Sequence, residues 1–136
     1  IVAITYENVS YDRVISNIHS LIANEFDVPI SFEEHKGNQS FLINVEENIL
    51  DELLVGGQTH NHTVTINYQL LSSGTYIKNS FKQVALIMER LKRLLHNNRN
   101  YSSVFFNGQV DNITYEREDD KINSSLIFSC TTMELV

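Results

Sequence analysis

The sequence predicts an α+β fold: a mostly antiparallel (mixed) β-sheet with two main helices packed against it, and long β-hairpins or loops extending from the core. Two segments, one in each half of the chain, have apolar residues at three- and four-residue spacing, which is typical of amphipathic helices. The segments between and after them alternate apolar with polar residues, as half-buried strands do. Helices grouped against an antiparallel sheet define the α+β class. With 136 residues, the chain is expected to form a single domain, residues 1–136.

The first predicted helix runs from about Tyr11 to Asn24. Its buried stripe is expected to consist of Tyr11, Val14, Ile15, Ile18, Leu21 and Ile22. Ser10 is the candidate N-cap, because a serine hydroxyl can accept a hydrogen bond from a free backbone N–H of the first turn. Pro29, the only proline, favours an extended conformation at the residue before it and closes this region.

Two strands are predicted to follow as a hairpin. They cover residues 28–33 and 40–45, with Lys36-Gly37-Asn38 as the turn between them. Residues 46–54 are ambiguous, because their apolar residues have helical spacing; a short acidic helix and an extended loop both fit. The other side of this segment carries four acids, Glu46, Glu47, Asp51 and Glu52.

A long strand is predicted from Gln58 to Leu71, between Gly56-Gly57 and Ser72-Ser73-Gly74. Its 14 residues are more than twice the usual strand length of about 5 to 6. We therefore expect part of this strand to extend beyond its sheet and to touch something else.

The second helix is predicted from about Lys78 to Asn97. Its apolar stripe is broad and consists of Phe81, Val84, Ala85, Met88, Leu91 and Leu95, widened by Ile87 and Leu94. Leu86 lies off this stripe and is expected to be exposed. Glu89 and Arg93 form an i, i+4 pair in the favoured order.

The last third is predicted to be strand-rich. Residues 104–106 and 110–117 flank Asn107-Gly108, a dipeptide typical of tight hairpin turns. Residues 118–121 form a charged turn, and residues 122–133 form the final strand. One face of that strand is predicted to carry Ile122, Ser124, Leu126, Phe128 and Cys130.

The positive charge of the chain is concentrated in the second helix. Six of the ten Lys/Arg residues lie within residues 78–99, whereas the flanking segments are acidic and the net charge is −7. This balance argues against a general nucleic-acid binder, as does the lack of aromatic interleaving that would offer base stacking, since Phe81 belongs to the apolar stripe. No apolar run approaches 18 residues, so no membrane span is expected, and residues 1–5 do not resemble a secretory signal.

Three features of the sequence are candidates for a catalytic or metal site. His60 and His62 share one face of a strand and could bind zinc with a third ligand such as His35 or Glu34; the alternative, which we favour, is two polar residues on the solvent face. Cys130 has apolar neighbours, so we expect a buried, inert thiol. Glu33, Glu34 and His35 are adjacent on a predicted strand and would not converge. We therefore expect no enzymatic activity, no cofactor and no metal.

Three sequence features together resemble the tail-terminator (tail-completion) proteins of tailed bacteriophages. They are the segment Phe32-Glu33-Glu34-His35, the acidic insert before a long Thr/Asn-rich strand, and the helix segment from Lys82 to Leu91 (KQVALIMERL) followed by paired final strands. The resemblance spans most of the chain and lies in element order. It implies a virion protein of the tail or neck, assembled in the host cytoplasm. Such proteins are not enzymes: they form a six-fold ring on the last tail-tube ring, stop tube growth and present the face that joins the neck or head.

A ring needs two different, complementary surfaces on each subunit, and the segregated charge provides them. We predict that Lys82, Arg90, Lys92 and Arg93 of one subunit meet acids of its neighbour, taken from Glu33, Glu34, Glu46, Glu47, Asp51 and Glu52. Further expected partners are the tail-tube protein and a neck or head-completion protein. DNA would pass through an acidic lumen without specific binding, and Asp119 and Asp120 are candidate lumen residues.

Other classes of protein also fit the sequence. Another neck component (a head-completion or stopper protein) or a tail-tube protein would also be small and ring-forming. An adaptor module that forms no ring and a small metal-dependent or hydrolytic enzyme that uses His60 and His62 are the candidates from other classes.

Overall fold

The computed structural model describes residues 7–35, 37, 39–71, 77–101, 104–118 and 120–135, and within 77–80 and at 135 it describes the backbone. The predicted turn at Lys36 and Asn38, the predicted break at Ser72-Ser73-Gly74 and the candidate lumen residue Asp119 lie outside the described residues. The described chain forms a mixed five-stranded sheet with helices on one face, which confirms the predicted α+β class.

The elements follow in the predicted order of helix, strands, helix and strands. A π-helical turn, Ser10–Ile15, continues into α1, Ser16–Glu25. The remaining elements are β1 (Ile30–Ser31), β2 (Gln39–Leu54), β3 (Gly57–Leu71), α2 (Ile77–Asn97), β4 (Phe106–Arg117) and β5 (Lys121–Leu135). The spatial order of the sheet is β1-β2-β3-β5-β4; β1 pairs with β2 in parallel, and the other neighbours are antiparallel.

The core lies between one face of the sheet and the two helices. Alternate residues of β3 and β5 point into it, and cross-strand neighbours such as Ile66 and Leu126 are fully buried. The predicted inward face of β5 is confirmed, including a buried Cys130. The predicted stripe of α2 is also confirmed, with Val84, Met88, Leu91 and Leu95 buried. We call the face of the sheet away from the helices the open face.

Ser10 does not cap the first helix, so this prediction was wrong. Val9 already has helical dihedral angles and no side chain caps the turn. The Ser10 hydroxyl instead lies 3.3 Å from Nδ1 of His62 on β3. Contact with the sheet therefore outweighed the local capping preference of serine.

The predicted hairpin of residues 28–33 and 40–45 is also wrong. β1 is only Ile30–Ser31, and it runs parallel to β2, with Ile30 beside Phe41. The Phe41 N–H donates to the carbonyl of Pro29 at 2.8 Å, while proline has no N–H to return a bond. Packing of Phe26 against Phe41, with ring centroids 5.2 Å apart, brings the chain to the sheet edge in this direction.

Residues 46–54 are neither a helix nor a loop but the distal half of β2. They pair with β3 as far as Leu54 and Gly57, and the ladder contains two β-bulges, between Val45 and Glu47 and between Leu50 and Glu52. Each bulge inserts an extra residue and breaks the two-residue alternation. The apolar residues therefore acquire the three- and four-residue spacing that suggested a helix.

Asn107-Gly108 is a bulge inside β4 and not a hairpin turn, which corrects the prediction of two separate strands. The chain reverses earlier, where the Tyr101 N–H donates to the Phe105 carbonyl at 2.9 Å. Asn107 has a φ of +54°, a conformation that asparagine tolerates. Gly108 lies so close to its neighbours that an added Cβ would be 2.7 Å from Cζ of Phe128 and 2.9 Å from the Arg99 carbonyl oxygen.

Substitution Gly108→Ala is therefore expected to destabilise the fold by about 1 to 3 kcal/mol, because the new methyl group overpacks a buried ring and a backbone carbonyl. The measurement is the free energy of unfolding from urea titration. Asn107→Gly is the matched control at the neighbouring position. It keeps the backbone hydrogen bond from Asn107 N–H to Oδ1 of Asn100 and should change stability by less than about 0.5 kcal/mol. Equal stability of the Gly108→Ala protein and the parent chain would contradict the close packing described.

Candidate assembly interface

The distal hairpin of β2 and β3, residues 46–57, extends past the helices; we call it the arm. Residues 46–56 are all exposed, although five of them are apolar. These five are Ile49, Leu50, Leu53, Leu54 and Val55, with Leu53 71% exposed and Val55 fully exposed. Apolar side chains grouped at the end of a projecting hairpin are typical of a contact surface. The arm confirms the expectation of a long hairpin extending from the core.

The ladder pairings divide the side chains of the arm between the two faces of the sheet. Asn48 and Leu50 lie opposite His62 and His60, on the helix side. Residues opposite Asn61, Thr59 and Gly57 lie on the open face; they are Ile49, Glu52 and Leu54. Glu47, opposite Thr63, shares that face, and Met133 of β5 extends it with 44% exposure. The open face of the arm therefore combines apolar and acidic side chains.

The outer edge of the arm is poorly suited to strand addition. β1 pairs with β2 at Phe41 and Leu42, so among the described residues no strand covers the edge of β2 beyond them. Four acids and two β-bulges lie along this uncovered stretch. Charges and bulges on an edge strand hinder pairing with another edge. Contact through the face of the arm is therefore favoured over contact through its edge.

The exposed side of α2 has a complementary composition. Leu86 is 67% exposed, as predicted, and it lines an open groove of about 700 Å³ together with Lys82, Gln83, Ala85, Ile87 and Glu89. The groove is mainly apolar, and Lys82 lies at its margin. It is a second exposed apolar surface, on a different element from the arm.

A basic pocket lies near the end of the same helix. Its cavity of about 440 Å³ is lined by Lys92, Arg93, His96, Arg99, Gly108, Gln109 and Val110. Sequence reasoning named Lys92 and Arg93 but missed His96 and Arg99, which the turn after α2 brings beside them; the Arg99 guanidinium donates to the His96 carbonyl at 3.0 Å. Glu89 pairs with Lys92 at 2.8 Å rather than with Arg93 as predicted. No described residue forms an ion pair or hydrogen bond with the Arg93 side chain.

Arg90 differs from the other basic residues because it has partners in its own chain. Its guanidinium contacts a Glu25 carboxylate oxygen at 2.9 Å and the Glu25 carbonyl at 2.8 Å, and it lies 4.7 Å from the centre of the Phe26 ring. Arg90 therefore joins α2 to the end of α1. This engagement gives Arg90 a role within its own chain, and its predicted role between subunits stays a prediction.

The predicted acids fall into two separate groups. Glu33 and Glu34 are exposed just after β1, where Phe32 stacks on His19 with ring centroids 5.7 Å apart. Glu46, Glu47, Asp51 and Glu52 lie on the arm, and one carboxylate oxygen of Asp51 accepts a hydrogen bond from Thr59 at 3.2 Å. The two groups lie toward opposite ends of β2. Only the arm combines acids with exposed apolar side chains.

The expectation that His60 and His62 both lie on the solvent face was wrong for His62, which is fully buried. Its Nε2 lies 2.8 Å from the Thr132 hydroxyl, and its Nδ1 faces Ser10. His60 contacts Oδ1 of Asn48 at 2.7 Å and Glu134 at 3.3 Å. The π-helical turn covers His62, and nothing in the sequence pattern marked that contact.

The described residues do not assemble a metal site around these histidines. No group of three or more His, Cys, Asp or Glu side chains in the described ranges is placed to hold a metal ion. His35, the suggested third ligand, contacts the Ser40 hydroxyl at 2.7 Å, and Ser40 pairs with Gln69 on β3. Gln69 is seven residues from His62, or about 23 Å along the strand, so His35 lies far from His62. Burial raises the pKa of the Cys130 thiol to about 12, which makes it a poor nucleophile.

Comparison with known proteins gave no assignment: no protein-family model matches the chain, and no curated protein matches it. Among the described helices, none is both long and apolar enough to cross a membrane. The features of the described residues that bear on function are therefore the arm, the groove and the basic pocket.

His62 is expected to make the fold sensitive to acid. Burial, followed by the charges of His60 and Arg13, lowers the pKa of His62 from 6.5 to about 4. Between these values the unfolded chain binds a proton at this site and the folded chain does not, so the free energy of unfolding should fall as the pH falls, by at most about 1.4 kcal/mol per pH unit. His62→Gln should reduce this slope in urea titrations from pH 7 to 4. His96→Gln, an exposed control, should leave the slope unchanged, and an unchanged slope in His62→Gln would rule out this origin.

The two arginines of α2 should separate in a stability measurement. Arg90→Gln is expected to lower the free energy of unfolding by about 1 kcal/mol, because it removes a partly exposed ion pair and a cation–π contact. Arg93→Gln should change it by less than about 0.5 kcal/mol, since no described residue pairs with that side chain. The measurement is urea unfolding at protein concentrations low enough to keep the chain monomeric. Similar losses for both variants would contradict the assigned roles.

Proposed function

We propose that this protein is a structural subunit of a bacteriophage tail: a tail terminator that forms a hexameric ring, caps the tail tube, ends tube polymerisation and joins the tail to the neck or head. The observation that carries the proposal is the arm, which exposes five apolar residues and four acids beyond the body of the domain. The exposed side of α2 offers an apolar groove and a basic pocket of the opposite character.

Two unlike surfaces on one chain favour a closed ring over a symmetric dimer. In a two-fold dimer every contact occurs twice, so the arm of each copy would have to reach α2 of the other copy at the same time. Head-to-tail contact between different patches generates a ring when the rotation closes. This geometry agrees with the six-fold ring implied by the resemblance to tail terminators.

The charge distribution also suits passage of DNA. Under this proposal the basic residues of α2 are used between subunits, and the surfaces left for the lumen are acidic overall, because the net charge is −7. A negative wall repels phosphate and does not retain DNA. Asp120, which is exposed in the β4–β5 turn, remains a candidate for that wall. The proposed location is the virion, at the junction of tail and neck.

The proposal is tested by native mass spectrometry and negative-stain microscopy of the purified chain at low and high salt. We expect closed six-membered rings that dissociate as salt screens the charged contacts. Growth of the pure protein into filaments would favour a tail-tube subunit. A strict monomer at high concentration and low salt would overturn the ring.

A second measurement addresses the role of the ring in the particle. Antibody labelling of virions should locate the protein at the head-proximal end of the tail. Particles assembled without it should have tubes of variable length that carry no head. Tubes of normal length joined to heads would overturn a terminator function even if rings form.

A further inference from the structure

The arm and α2 match each other in length and in the order of their features. A strand rises about 3.3 Å per residue, and the β3 partners of Glu52 and Glu47 lie two and six positions from the partner of Leu54, which corresponds to about 7 Å and about 20 Å along the arm. A helix rises about 1.5 Å per residue, which places Arg93 about 10 Å and Arg99, just past the helix end, about 20 Å from Leu86. Each surface therefore begins with an exposed leucine and continues with charged groups at similar spacing.

The charges on the two surfaces are opposite and available. No described residue forms an ion pair or hydrogen bond with the side chains of Glu47, Glu52 or Arg93. Arg99 uses one guanidinium nitrogen for the His96 carbonyl and keeps other donors free for the basic pocket. No described carboxylate lines that pocket, and of its basic residues Lys92 pairs with Glu89 outside it, whereas Arg93 has no such partner.

The open face of the arm cannot contact α2 of its own molecule. α2 packs on the helix side of the sheet, against β3, β4 and β5, whereas Glu47, Glu52 and Leu54 point to the open face. The sheet itself separates the two surfaces. Only another copy of the chain can bring them together, and the bulged, acidic edge of the arm favours docking through its face.

We infer that the open face of the arm of one copy lies along α2 of the next copy, with Leu54 against Leu86 and with Glu52 and Glu47 directed to Arg93 and Arg99 of the basic pocket. The inference rests on the proposed function only in requiring that copies associate side by side. It assigns the basic pocket as a carboxylate-binding site and gives the subunit contact a direction. Glu33, Glu34 and Arg90 lie outside this contact.

Charge reversal tests the pairing. Glu52→Lys and Arg93→Glu, each alone, place like charges together and should weaken ring formation by at least about tenfold in subunit dissociation constant, measured by mass photometry. The chain that carries both substitutions restores opposite charges in every contact and should recover most of the affinity. Glu33→Lys, an exposed acid outside the contact, is the matched control. Circular dichroism checks that each variant is folded.

Cross-linking tests the direction and the face. A Leu54→Cys chain mixed with a Leu86→Cys chain should form a disulfide-linked dimer on mild oxidation, whereas Leu53→Cys, on the helix side of the arm, should cross-link to Leu86→Cys at least about tenfold more slowly. Equal rates would overturn the assigned face.

The outcomes separate this inference from the function on which it rests. Rings that persist in both single charge variants would overturn the docking, and so would a double variant that does not recover ring formation. Either result would leave the proposal that the parent chain forms a ring unaffected. Binding of inorganic phosphate to the monomer that is lost in Arg93→Glu, with rings unchanged, would assign the pocket to a phosphate ligand and also overturn it. A parent chain that never associates would overturn both the docking and the tail-terminator function.

Discussion

The unbroken ladder between β3 and β5 is the interaction on which the rest of this structure depends. Fifteen consecutive residues of β3, from Gly57 to Leu71, pair with β5 from Leu135 back to Lys121. Near the helices, the inward side chains of this ladder form the centre of the core. Beyond the helices, β5 continues to pair with β3 as far as Gly57. The arm is therefore the end of a continuous sheet of β2, β3 and β5 and does not depend on a helix packed against it.

The contrast between Arg90 and Arg93 shows how one helix serves both the fold and a surface. The two side chains are three residues apart, yet one is committed to Glu25 and Phe26 and the other has no partner among the described residues. Exposure alone does not separate them, since both are exposed. The distinction depends on where α1 ends, which brings a carboxylate and an aromatic ring to one side of α2.

Elements with an undisturbed period could be predicted from the sequence. β3, β5 and α2 were located to within one or two residues because their alternation or three-to-four spacing continues over many residues. The distal half of β2 could not, since its two bulges turned a strand pattern into apparent helical spacing. Asn107-Gly108 was mispredicted as a hairpin turn for a related reason. Asparagine tolerates the positive φ, and glycine tolerates close neighbouring atoms, in a bulge as well as in a turn.

The candidate site was predictable in its charges and not in its shape. Segregation of acids and bases is visible in composition, and it drew attention to the acids of residues 46–52 and to α2. The exposed leucines of the arm, the approach of Arg99 to Arg93 and the burial of His62 all depend on tertiary contacts. The pattern of His60 and His62 matched a metal-binding spacing, but the packing of the π-helical turn on β3 made the second histidine part of the core.

The acids of the arm have a consequence for the behaviour of the free chain. A hairpin tip with five exposed apolar residues and an uncovered edge resembles the segments from which proteins aggregate. Charged residues that flank such a segment act as gatekeepers against random association. Glu46, Glu47, Asp51 and Glu52 would thus keep newly made chains dispersed in the crowded cell. The same carboxylates would allow adhesion only where a cationic surface neutralises them, which couples solubility to the choice of partner.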